Sequence, residues 1–144
     1  MFWVGQPQFS GGSLKAGGRF QVAIWATNVP DLASAELELD FDPELLEIVG
    51  GSLDISQGTL FAAADSRWQI PRVFNDTGSV IGFRGEWTGE PLPPLSYGTL
   101  FTVHFKAKQA GLAVLGLEHV TIRDSEGNPV DCDIQHGELI IQPE

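Results

Sequence analysis

One cysteine, Cys132, occurs in the 144 residues, so no intrachain disulfide is possible and neither a thiolate metal cluster nor a disulfide scaffold can be built. Basic residues are scarce: 8 Lys and Arg stand against 19 Asp and Glu, a formal net charge of −11. A polyanion would approach against that field, which disfavours nucleic acid as a partner. From Phe20 to Ser66 there is no Lys or Arg at all, while Asp31, Glu36, Glu38, Asp40, Asp42, Glu44, Glu47 and Asp54 all fall there. Something basic could dock on that stretch. No apolar run approaches the ~20 residues of a membrane span. The start, Met1-Phe2-Trp3-Val4, lacks the basic and long apolar regions of a signal peptide. If the natural protein is exported, this chain is expected to be a processed or excised module.

The groups that carry chemistry are also thin. Nucleophilic catalysis would need Ser, Thr or Cys beside a His and an orienting carboxylate, yet His104 alternates with Lys106 on a polar face, and His119 and His136 lie beside turns. No HxH, HExxH or CxxC occurs, and no glycine-rich phosphate motif. Asp40 with Asp42, or Glu86 with Glu90, have the spacing of a glycosidase carboxylate pair, but acids at alternate positions are what a solvated strand face carries. Asp124-Ser125-Glu126-Gly127-Asn128 lacks the spacing of a calcium loop and reads as a turn. An enzyme is not expected, and no bound cofactor or metal.

What is present points to strands. Seventeen Gly and nine Pro beside 42% hydrophobic residues fit short segments joined by tight turns, and the length suits one domain, residues 1–144, around one core. Period-two alternation recurs at sandwich spacing. Phe20, Val22 and Ile24 alternate with Arg19, Gln21, Ala23 and Trp25 up to Asn28-Val29-Pro30. Leu37, Leu39 and Phe41 alternate with Glu36, Glu38 and Asp40, and the carboxylates must face water, because burying three unpaired acids is prohibitive.

Leu45 to Val49 resumes after Asp42-Pro43-Glu44, and Ser52 to Ser66 reads as an irregular connection. Trp68 to Phe74 and Ser79 to Trp87 flank Asn75-Asp76-Thr77-Gly78 as an antiparallel hairpin, with Pro71 at an edge or bulge. Gly89 to Pro94 reads as a loop. Phe101, Val103, Phe105 and Ala107 face one way on a long strand; Leu115 to Ile122 and Gly137 to Ile141 follow. An N-terminal strand over Phe2 to Phe9 brings the count to about nine, and Gln142-Pro143-Glu144 looks like the start of a linker.

Four motifs in order resemble those of cohesin modules, from cellulosomal scaffoldins and from non-cellulosomal relatives. Lys15-Ala16-Gly17-Gly18-Arg19-Phe20-Gln21-Val22 is similar to "xPGxxFxV", and the run from Ala35 to Val49 to "FxLxYDPxxLEVV". Gly98 to Lys108 resembles "GTLAxIxFKAK", and Val120 to Asn128 resembles "VxLxDxxGN". The resemblance spans about Leu14 to Ile141 and implies an all-β, nine-stranded jelly-roll sandwich that is not catalytic. Its partner would be a dockerin, a small helical module carrying the calcium, with a monomeric cohesin sitting extracellularly or at a cell surface in a larger protein.

In the family the dockerin lies on the sheet of the third, fifth, sixth and eighth strands. Carried onto this chain, the third strand supplies Ser34, Glu36, Glu38 and Asp40, and the neighbouring strands Phe74, Asn75, Phe83, Arg84, Glu86 and Trp87. A carboxylate ladder favours Lys or Arg on an incoming helix. Val80-Ile81-Gly82-Phe83-Arg84 fits either facing: with Phe83 outward it is an apolar anchor, with Arg84 outward it pairs with Glu38 or Glu86. The sharper expectation is Phe83 outward. The alternative function is a carbohydrate-binding module, for which Trp25, on the polar face of its strand, is the best sugar platform; Trp3, Trp68 and Trp87 are not fixed in facing.

Overall fold

A computed structural model describes residues 2–8, 13–27, 32–62, 66–87, 97–131 and 133–144. Two sheets face each other. The first runs in the order β11 (Ile134–Gln135), β1 (Phe2–Val4), β2 (Arg19–Thr27), β9 (Tyr97–Ala107) and β4 (Leu46–Glu47), with β5 (Ile55–Gln57) also on β9. The second runs β12 (Gly137–Ile141), β10 (Gly111–Asp124), β3 (Leu32–Asp40), β8 (Ser79–Trp87) and β6 (Ser66–Gln69), with β7 (Arg72–Phe74) also on β8. Among the described residues two edge paths are interrupted, β4/β5 along β9 and β6/β7 along β8, so each is split into two short strands.

Pro71 causes one interruption. It offers no N–H to the ladder, so the strand expected over Trp68 to Phe74 splits around Ile70-Pro71. The irregular stretch after Ser52 contains two short 3₁₀ turns, Gly51–Asp54 and Thr59–Ala62, on either side of β5. The hairpin turn forms as expected, with Gly78 at φ 74°, and a Cβ there would meet the Phe41 carbonyl oxygen, so glycine is required twice over. The expected loop over Gly89 to Pro94 and the strand stop at Asn28-Val29-Pro30 lie outside the described residues.

Alternation delivers the core. Phe20, Val22 and Ile24 from β2, Ala35, Leu37 and Leu39 from β3, and Phe101, Val103, Phe105 and Ala107 from β9 are all buried. At one end Phe105 stacks on Phe20 and takes the edge of Phe41. At the other, Phe61 stacks on Trp87 with centroids 5.0 Å apart, and Phe83 leans on Phe101 at 4.8 Å. Gly85 makes room for this second cluster, because a Cβ there would sit 2.7 Å from the Phe61 ring and 3.0 Å from Trp87. Gly85→Ala is therefore expected to lower unfolding free energy by about 1–3 kcal/mol through overpacking, measurable by urea denaturation.

Candidate functional site

Across β6/β7, β8, β3 and β10 the outer face of the second sheet is a grid of mostly polar residues set by strand register. One row reads Arg67, Glu86, Ser34, Arg123 across β6, β8, β3 and β10; the next reads Gln69, Arg84, Glu36, Thr121. In the third, Arg72 lies opposite Ile81, and Glu38 opposite Glu118. The fourth is Phe74, Ser79, Asp40, Gly116. Every residue in the grid is half-buried or exposed.

Arg84 holds the centre. Its Nε lies 2.8 Å from Glu86 Oε1 and its Nη1 3.4 Å from Glu36 Oε1. With the Arg84 side chain 53% exposed, these pairs add little to stability, but they fix three long side chains in one arrangement. Glu38, Asp40 and Glu118 lie beyond this clamp and leave the lower half of the grid acidic.

Two bulges break the ladder at the same level. On β8, Ile81 and Gly82 together oppose Glu38, with Gly82 at φ 93°; on β10, His119 and Val120 oppose Leu37, with His119 at φ 52°. The left-handed backbone costs glycine nothing and is tolerated by His better than by most residues. The two bulges thus flank β3 at adjacent residues, Glu38 on the β8 side and Leu37 on the β10 side. A cleft of about 310 Å³ opens there, lined by Glu36, Glu38, Gln69, Ile81, Arg84 and His119 among others, with Gln69 Nε2 donating to the Gly82 carbonyl at 3.1 Å.

Asp40 is the perturbed acid of this face. Burial, then a hydrogen bond with Glu38 and its charge, push its pKa up to about 6, with His119 opposing, and its Oδ1 is buried without a hydrogen-bond partner. The folded state thus takes up a proton between pH 3.8 and about 6, so Asp40 makes stability fall as pH rises through that window. Asp40→Asn is expected to raise the melting temperature at pH 7, the gain shrinking toward pH 4, as thermal melts at both pH values would show.

Ser34, Glu36, Glu38, Asp40, Phe74, Arg84 and Glu86 all lie on this face. Phe83, expected outward, does not: it is 1% exposed and packs on Phe61 and Phe101. The bulge explains it, because one extra residue resets the alternation and sends both Val80 and Phe83 into the core. Arg84 consequently faces out, pairing with Glu86 as anticipated but with Glu36 in place of Glu38. Trp87 also turns inward, 4% exposed, with Nε1 donating to the Leu60 carbonyl at 2.8 Å. Asn75 lies in the turn, its amide spent on both backbone groups of Ile48 at 2.8 and 2.9 Å, so it positions the turn.

Sequence reasoning missed Arg67, Gln69, Arg72, Ile81, Glu118, Thr121 and Arg123. Gly82, isolated within a strand, was the available signal for a bulge. Trp25 faces outward on the first sheet as alternation required, half-buried and stacked on Trp3. Among the described residues no group of three or more His, Cys, Asp or Glu could hold a metal ion, and no helix is long and apolar enough to cross a membrane.

Two facing sheets, one of them with a charged outer face, define a β-sandwich whose open surface is a sheet rather than a deep pocket. The sequence model of the Cohesin domain matches residues 8–141, and the chain belongs to that family. The fold is similar to a non-cellulosomal cohesin from the hyperthermophilic archaeon Archaeoglobus fulgidus, at 22% identity and TM-score 0.71, over 97% of this chain and 88% of that one. It is also similar to a type II Cohesin-X-Dockerin complex from Acetivibrio cellulolyticus, at 17% identity and TM-score 0.72, over 100% of each chain. A type I Cohesin-Dockerin complex from Clostridium thermocellum matches at 14% identity and TM-score 0.67, over 96% of this chain and 98% of that one. No curated protein matches.

Proposed function

We propose that this chain is a non-catalytic module that binds a dockerin on the outer face of the β10-β3-β8-β6 sheet. The observation that carries the reading is the grid itself: sixteen residues, fifteen of them with side chains, set by strand register and exposed or half-buried. Membership of the cohesin family and the two similar structures described as cohesin–dockerin complexes support the partner class.

The grid also specifies a charge pattern. Arg84 pairs with Glu36 and Glu86, and Arg67 and Arg123 lie in the same upper rows, so the acidic excess falls on Glu38, Asp40 and Glu118, where Lys or Arg of a partner helix gains most from charge-assisted hydrogen bonds. Calcium belongs to the partner in this reading, and this chain takes none. As one monomeric module of a larger extracellular or cell-surface protein, it would recruit dockerin-bearing proteins into an assembly. Calorimetric titration with a panel of dockerins, including any encoded beside its own gene, is expected to give a complex in calcium that is lost with chelator. No calcium-dependent complex with any of them would remove the reading.

A further inference from the structure

The first sheet also has an open outer face, and the docking reading does not use it. Trp3 of β1 and Trp25 of β2 stand directly opposite in register. Their rings are parallel within 9°, with centroids 5.9 Å apart, and neither is buried in the core. Gly5 follows on the same face as Trp3. A Cβ at Gly5 would lie 2.7 Å from Trp25 Nε1, so the indole occupies the space a side chain would fill. Glycine is what lets this ring lie over the strand.

Further along β2, the same face carries Gln21, opposite His104 of β9. These two form part of a cleft of about 420 Å³ that also includes Gln8, Arg19, Val49 and Asp54. The amide of Gln21 donates to Gln8 Oε1 at 2.9 Å, which orients both groups. Gln21 and Trp25 are four residues apart on one strand, about 13 Å at the usual rise. Aromatic rings and polar cleft are therefore successive stations on one strip.

We propose that this strip is a second binding surface, for an extended neutral glycan, with pyranose faces on the Trp3–Trp25 pair and hydroxyls in the Gln21–His104 cleft. The chemistry selects that ligand on three counts. Parallel indoles offer flat apolar area of the kind the ring face of a pyranose can cover. Amide, imidazole, guanidinium and carboxylate groups together supply both donors and acceptors, as vicinal hydroxyls require. The cleft carries charge of both signs, Arg19 with Asp54, which suits a neutral polar ligand better than an ionic one. The strip lies on the sheet opposite the docking grid, so it stands or falls independently of dockerin binding.

Native gels containing barley β-glucan, xylan or galactomannan, backed by titration with cellohexaose and xylohexaose, test this. The expected result is retardation of the wild type by at least one of these polysaccharides. Trp25→Ala, Gln21→Ala and His104→Ala should each weaken binding by about tenfold or more, the loss of a stacked ring or a hydrogen-bonding group. Circular dichroism melts confirm folding, and if Trp25→Ala does not fold, the other two variants carry the test. Wild-type migration unaffected by all three polysaccharides overturns the proposal, as does retardation that survives both Gln21→Ala and His104→Ala. Dockerin titration of the same variants should be unchanged.

Discussion

Glu36→Lys combined with Glu38→Lys is expected to abolish dockerin binding, lowering affinity by about 100-fold or more, the cost of placing like charges across a close-fitting interface. Folding stability should shift by about 1 kcal/mol or less, since exposed strand charges contribute little. The two positions are not equivalent. Glu36 already spends its carboxylate on Arg84, so its reversal sets a lysine beside an arginine and disturbs the clamp. Glu38 faces the cleft between the bulges and has Asp40 and Glu118 as neighbours, so Glu38→Lys alone should account for most of the loss. Titration calorimetry beside thermal melts separates the effects, and unchanged affinity in a folded double variant would move the interface elsewhere.

Phe83→Ala is expected to act in the opposite sense, costing about 3–5 kcal/mol of stability as a large side chain leaves a packed interior. The residue touches Phe61 and Phe101 and is 1% exposed. Any binding deficit should follow the unfolded fraction, so that affinity per folded molecule at low temperature stays near that of the wild type. Urea denaturation gives the first quantity and titration at 10–15 °C the second. An outward-facing anchor would show the reverse, intact stability with lost affinity.

These three residues also mark where sequence reasoning worked and where it failed. Strands β2 and β3, and β9 from Phe101 onward, were legible because their alternation runs unbroken there, and in β3 the apolar and acidic sets differ so sharply that only one facing is affordable. Glu36, Glu38 and Asp40 could therefore be placed outward from sequence alone. Val80 to Trp87 could not be placed in the same way, because Ile81-Gly82 inserts an extra residue and inverts every later facing, Phe83 and Trp87 included. The grid's remaining members were hidden for a related reason. Which residue of β10 lies beside Glu36 depends on the irregularity at His119-Val120, and cross-strand register is a relation between distant segments that local pattern does not encode.

The paired bulges have a geometric consequence. A bulge bends its strand and sharpens the local right-handed twist, and here the strands on both sides of β3 bend at the same level. A sheet twisted in this way is a saddle, rising along one diagonal and dipping along the other. A straight rod keeps continuous contact with a saddle only along its straight lines, which run along and across the strands, so the diagonals are disfavoured as axes for a docking helix. Backbone curvature thus narrows the choice before any side chain is read, which leaves the charges to decide between the two lines and which end points which way.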